Sequence, residues 1–261
     1  MEEKTSNERR EFLKKALFFS AATAFDPQLI SAAAQKNKNT KGGEGFTFLF
    51  QGDSITDGNR TRNNDWNHVM GHGYQYIIAS KLWYDFPKKG FHFFNRGISG
   101  NKVPDLTARW QKDTLELHPN VLSILIGIND SAAFIDGNKD FSVEQYENGY
   151  RSLLQQTKQQ LPNIEFVLCE PFILPVGKVK DKWEEYSKEV KKRQEVVKRL
   201  AEEHNAIFVP FQSAFDKALS TAPADYWIWD GIHPMPAGHE LMAREWMHRV
   251  SKKLKFIKSH N

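Results

Sequence analysis

The sequence predicts an α/β fold, one open parallel sheet covered by helices on both faces. Two observations predict it. Five short apolar runs are spread along the chain, and a helical pattern lies between each run and the next. The runs are nearly continuous in apolar residues, as strands covered on both faces are, whereas a strand with one wet face would alternate. A length of 261 residues, 40% hydrophobic and 26% charged, suits a single domain with a substantial core.

Residues 1–34 read as an export signal. The stretch NERREFLKKALFFSAATAF joins a basic segment to a short apolar one, and Ala32-Ala33-Ala34 precedes Gln35 like a small-residue cleavage site. Arg9-Arg10 followed by Phe12-Leu13-Lys14 resembles the twin-arginine motif of bacterial folded-protein export. The alternative is an amphipathic helix that stays on the protein. The apolar run is too short to span a bilayer, and no lipobox cysteine follows. The expectation is therefore an exported protein, periplasmic or secreted, without stable membrane anchoring. Residues 35–43 form a linker ending in Lys41-Gly42-Gly43, residues 44–256 the folded domain and 257–261 a tail.

Within the domain the candidate strands are FTFLF (46–50), FHFFN (91–95), VLSILIG (121–127), IEFVLC (164–169) and AIFVP (206–210). Helical patterns cover 74–86, 103–117, 142–160, 182–204 and 236–254. The third opens on Ser142 with Gln145 three residues on, the S-x-x-Q form of a capping box. The last opens on Pro236, whose missing N–H costs nothing in a first turn. No internal repeat interrupts the series.

Net charge is +4, with Lys-rich segments at QKNKNTK (35–41) and in the C-terminal KKLKFIKSHN. Neither is interleaved with aromatics like a single-strand binder, so both read as solvated tails and nucleic acid is not an expected partner. The one cysteine, Cys169, excludes an intramolecular disulfide and a Cys-based zinc site, and its apolar run makes it a buried thiol. KGGEG lacks the GK[ST] of a phosphate loop. His68 and His72 have the i, i+4 spacing of a metal pair, but Gly71 and Gly73 weaken a helix there and no third ligand is visible. A polar loop is the expectation, with no metal and no cofactor. Oligomeric state is left open, and a homo-oligomer is compatible with the sequence.

Open α/β sheets bind ligands at the carboxyl ends of their strands. The residues there are Gly52-Asp53-Ser54, Asn95 to Asn101, Gly127 to Asp130 and, before the last helix, Asp230-Gly231-Ile232-His233-Pro234. Acyl transfer needs a nucleophile, a base, a group to orient the base and donors for an oxyanion. Ser54 suits the first role, His233 the second and Asp230, three residues before it, the third. The backbone N–H groups of Ser54 and Gly100 with the Asn129 side-chain amide suit the oxyanion hole. Taken alone, Ser54 reads as a helix cap; the set of five favours catalysis. Asp53 is expected to anchor its turn, Asp57 to pair with Arg60 or cap the next segment, and Asp130 to brace the Asn129 loop.

GDS at 52–54, GISGN at 97–101, GIND at 127–130 and DGIHP at 230–234 resemble the four blocks of the SGNH (GDSL) hydrolases. The resemblance implies a flavodoxin-like three-layer α/β/α sandwich on a five-stranded parallel sheet. It also implies Ser54, Gly100, Asn129 and His233 as the four named residues, with Asp230 as the acid. GDSITDGNRTR, NRGISGNKVPDLTARWQKD and EPFILP resemble the branch that contains acetylxylan esterases and related carbohydrate deacetylases. That branch implies a small-molecule or oligosaccharide ester as substrate. Trp66, Trp227 and Trp229 adjoin the blocks and are candidate walls for sugar rings, or packing beneath loops; Trp110 reads as core. The loop 172–183 is a candidate cover for the site. The competing readings are a lipase, lysophospholipase or thioesterase using the same machinery on acyl chains, and a sugar-binding protein that has kept the fold.

Overall fold

The first apolar run forms strand β1, Thr47–Gly52, at the centre of the domain. The computed structural model describes residues 43–258 apart from Asn64 and Trp66. The export-signal assignment and all of the linker before Gly43 thus lie outside the described residues. Four more strands follow: β2 (His92–Asn95), β3 (Val121–Leu125), β4 (Glu165–Cys169) and β5 (Ile207–Val209). All pair in parallel, in the order β2-β1-β3-β4-β5. This is the flavodoxin-like order, whose topological switch lies between the first and third strands.

Side chains alternate across the sheet, and each face carries its own apolar layer. Phe48 and Phe50 of β1, Val121 and Leu125 of β3, and Val167 and Cys169 of β4 enter one layer. Leu49, Leu122, Ile124, Phe166 and Leu168 enter the other. Helix α2 (Tyr74–Asp85) covers the first face, joined after β5 by α8 (Phe211–Ala218) and α10 (Pro236–Lys253). Helices α3 (Val103–Asp113), α5 (Val143–Gln160) and α7 (Trp183–Glu203) cover the second. The crossover to β2 runs in one direction and the later ones in the other, so right-handed connections place their helices on opposite faces.

The structure adds elements and moves some boundaries. Short helices α1 (Ser54–Asp57), α6 (Gly177–Lys180) and α9 (Ala224–Trp227) lie in stretches that carry no helical period. Helix α4 (Ile128–Ile135) begins inside the GIND block, a stretch with no helical pattern in the sequence. The expected helix 103–117 stops at Asp113 and resumes as a 3-10 turn, Leu115–Leu117. The buried Gln51 of β1 causes that break, because its Nε2 donates to Asp113 O at 2.9 Å and to Thr114 Oγ1 at 2.8 Å. Ser142 caps α5 by accepting from Gln145 N–H at 3.3 Å, and Pro236 opens α10. The C-terminal segment is not wholly a solvated tail: Ile257 is buried and Phe256 packs edge-on to Phe46. Cys169 and Trp110 are buried as expected. Among the described residues no helix is long and apolar enough to cross a membrane.

Candidate active site

The chain meets the sheet's switch point at the ends of β1 and β3, and there Ser54 and Asn129 each lie in the first turn of a helix. Asp53 is the N-cap of α1, its Oδ1 accepting from Ile55 N–H at 3.0 Å. As the first residue of that helix, Ser54 has an N–H with no partner inside it. Its hydroxyl lies 2.8 Å from His233 Nε2. The other ring nitrogen, Nδ1, lies 2.8 Å from Asp230 Oδ2. Asp230 Oδ1 accepts from the N–H groups of Ile232 at 2.9 Å and His233 at 2.7 Å. One carboxylate therefore fixes both the backbone and the ring of the histidine.

The Asp230 carboxyl is held down at about 2. Burial works in the opposite direction, but the backbone and ring donors of His233 and the Ile232 N–H outweigh it. Lys178 Nζ stands 3.2 Å from the same Oδ2. It comes from the loop after β4, which lies against the backbone of the acid. Gly177 there has φ of +52°, and a Cβ on it would collide with the Asp230 backbone. Leu174 N–H also donates to Gly231 O at 3.1 Å. No local pattern in PVGKVK signals this contact, because it joins segments about fifty positions apart in the chain.

Gly100 sits at φ of +82°, a conformation that side chains resist, and a Cβ there would meet nothing within 4 Å. The glycine is needed for its backbone angle, and it leaves that face of the loop open. Asn129 Nδ2 donates to Asn101 O at 3.1 Å, which ties the β3 turn to the Gly100 loop. The amide's second hydrogen stays available.

Behind the loop, Asp57 accepts from Ser99 N–H at 3.0 Å and Ser99 Oγ at 3.2 Å. Its ion-pair partner is Arg62 at 2.6 Å, not Arg60, which gives Asp57 only its backbone N–H, at 3.2 Å. The arginine two positions on reaches both carboxylate oxygens as a fork. Asp130 Oδ1 accepts from Val103 N–H at 3.1 Å, holding the start of α3.

Of the tryptophans, Trp229 is 61% exposed and nearly parallel to the His233 ring, centroids 6.3 Å apart. Trp227 is half-buried against the core, with Nε1 donating to Ala222 O at 3.3 Å, so it packs beneath the loop. Trp66 lies outside the described residues. His68 pairs with Asp65 at 2.7 Å, and among the described residues no group of three His, Cys, Asp or Glu could hold a metal. His239 in α10 accepts from Tyr74 N–H at 3.1 Å, and burial pushes its imidazole down to about 4, with His72 and His233 adding to the shift.

Two buried carboxyls support the site. Burial raises Asp53 to about 7, against the Ile55 N–H and with help from Asp130. Burial likewise raises Asp130 to about 6. A raised acid binds its proton more tightly when folded, so these groups make stability fall as pH rises between about 4 and 7. The expected result is a steeper decline of urea midpoint over that window in the parent than in Asp53→Asn. Parallel curves would show that Asp53 does not titrate there.

Ser54, His233 and Asp230 thus stand in one line of contacts at the switch point of an open parallel α/β sheet. The family model for the GDSL-like Lipase/Acylhydrolase family matches residues 50–241, and the chain belongs to that family. It is a carboxylic ester hydrolase. The chain is similar to an acetylxylan esterase of Geobacillus stearothermophilus, 36% identical over 220 residues, which cover 80% of this chain and 95% of the relative. The crystal structure of that esterase aligns with a TM-score of 0.71 at 35% identity, covering 81% of this chain and 96% of the other. A protein of Parabacteroides merdae designated a GDSL-like lipase aligns with a TM-score of 0.76 at 42% identity, covering 82% and 97%.

Proposed function

We propose that the protein removes small acyl groups, acetyl foremost, from esterified carbohydrates such as acetylated xylo-oligosaccharides or pectin fragments, through a covalent acyl-enzyme on Ser54. The observation that carries the reading is the unbroken contact from Ser54 Oγ through His233 to Asp230, at 2.8 Å per step. His233 Nε2 takes the hydroxyl proton as Ser54 attacks the ester carbonyl. The oxyanion is met by the N–H groups of Ser54 and Gly100 and by the free amide hydrogen of Asn129. His233 then returns the proton to the leaving alcohol, and the same steps run with water release acetate. This scheme calls for no cofactor. Asp230 stabilises the imidazolium and keeps the proton on Nδ1.

Asn129→Ala is expected to lower turnover by roughly two to three decades, the usual loss for one oxyanion donor. A raised Michaelis constant with unchanged turnover would make Asn129 a substrate-binding residue only. Its bond to Asn101 also predicts that the variant loosens the Gly100 loop, readable as faster amide exchange there.

Support for a carbohydrate comes from the similarity to an acetylxylan esterase and from Trp229, whose exposed ring stands beside His233 and offers a flat face to a sugar. The export reading of residues 1–34 would bring such an enzyme to wall polysaccharides outside the cytoplasm. The test is an acyl-length series on chromogenic esters beside acetate release from acetylated oligosaccharides. Preference for acetate, modest because each methylene is worth only about 1–3 kcal/mol, supports the reading. Rates that climb towards octanoate with no acetate released from any saccharide would favour the lipase-like alternative.

A further inference from the structure

A cavity of about 420 Å³ opens beside the edge strand β2. Its wall includes Arg60, Thr61 and Arg62 after α1, Phe94 in β2, and Arg96 just past the carboxyl end of that strand. Arg96 follows the carboxyl end of β2, and Arg60 Nε reaches Gly97 O, so the cavity adjoins the loop that carries Gly100. Three guanidiniums line it. Arg60 is only 9% exposed; its Nε donates to Gly97 O at 3.0 Å, and its terminal nitrogens donate to nothing among the described residues. Arg62 forks onto Asp57. Arg96 lies over the Phe94 ring at 5.4 Å, with its Nε 3.9 Å from Asp113. Asp113 is shared in turn with Arg109 at 3.1 Å.

Positive charge is thus in excess. Burial first, then the charges of Arg62 and Arg96, push the Arg60 guanidinium down to about 10, against Asp57 and Asp113. The Thr61 hydroxyl is buried with no hydrogen-bond partner. Bracing of the oxyanion loop accounts for Arg60 Nε and for Arg62. It does not account for Arg96 or for the free end of Arg60. Several donors and a concentration of positive charge match the chemistry of an oxyanion that accepts from planar guanidinium forks. The volume suits a single sugar unit.

We propose that Arg60, Arg62 and Arg96 form an oxyanion pocket that takes the carboxylate of an acidic sugar unit on the substrate. The proposal rests on the carbohydrate-esterase reading, and it makes the enzyme selective for acetylated chains that carry uronic acid. A free small anion such as phosphate presents the same chemistry, so the experiment must separate the two.

The full chain is titrated by calorimetry, at fixed ionic strength, with methyl glucuronide, methyl glucoside and inorganic phosphate. Acetate release is measured on acetylated xylo-oligosaccharides with and without a glucuronate branch. The expected result is saturable binding of the glucuronide, none of the glucoside, and binding of the glucuronide at least tenfold weaker in Arg96→Gln. The branched substrate is expected to show a kcat/KM advantage that collapses in Arg96→Gln while the rate on the unbranched one is unchanged. Arg96→Lys, which keeps the charge and loses the fork, serves if the glutamine variant does not fold, and its binding is expected to fall between. Acetate release with no glucuronide preference overturns the pocket and leaves the esterase reading intact. Arg96-dependent glucuronide binding with no acetate released from any saccharide does the reverse. Binding of phosphate alone, without the glucuronide, overturns the acidic-sugar assignment.

Discussion

Purified Ser54→Ala is expected to keep its fold and lose three or more decades of ester turnover. The hydroxyl makes one side-chain contact, to His233 Nε2, while the turn itself is held by Asp53 and by the α1 cap. Removing one oxygen at a half-buried position leaves no sizeable cavity, so thermal stability should barely move. What remains after the change is the oxyanion donors and substrate binding, which by themselves accelerate hydrolysis only modestly over water. Acetate release and near-UV circular dichroism on the same preparation check both halves. Activity at about a tenth of the parent with an unchanged spectrum would mean that Ser54 is not the nucleophile.

Asp230→Asn is expected to cost about four decades in turnover with little change in Michaelis constant. In the parent, Oδ1 accepts two backbone N–H groups and Oδ2 faces His233 Nδ1. The asparagine oxygen would keep the two backbone bonds, which turns its NH₂ towards Nδ1. That nitrogen must then accept, so the ring proton moves to Nε2 and cannot take the one from Ser54. The geometry survives and the tautomer is wrong. Asp230→Ala also frees the two N–H groups, so it should lose stability as well as rate. An asparagine variant as active as the parent would show that Asp230 only anchors the loop.

Three of the four blocks were legible because each places its chemistry at a strand end, and a parallel sheet puts such ends on one edge; the fourth, DGIHP, was legible from its Asp-to-His spacing ahead of the last helix. Ser54, Asn129, Asp230 and His233 could thus be grouped before any contact was known. Contacts between distant segments were not legible in this way. Lys178 reaches Asp230 across about fifty positions, and nothing in its neighbourhood distinguishes it from other lysines of the chain. Arg62, not Arg60, pairs with Asp57, because the direction of the chain after α1 decides which side chain reaches back. Trp227 and Trp229 lie two residues apart, one ending α9 and the other just past it, yet the first packs inward and the second stands beside His233. The break at Asp113 follows from Gln51, a residue of strand β1.

By itself the sequence determined the strand runs, the helical stretches between them, the glycine at the Gly100 turn and the residue types that an acyl-transfer site requires. These are local properties, set by periodicity, turn chemistry and backbone sterics over a few positions. Only the tertiary structure decided which carboxylate meets which cation, where helices break, which tryptophan faces outward, and that three arginines from two segments share one cavity. Each of those outcomes depends on side chains brought together by the sheet order β2-β1-β3-β4-β5, and burial fixes their energies through neighbours that no local window contains.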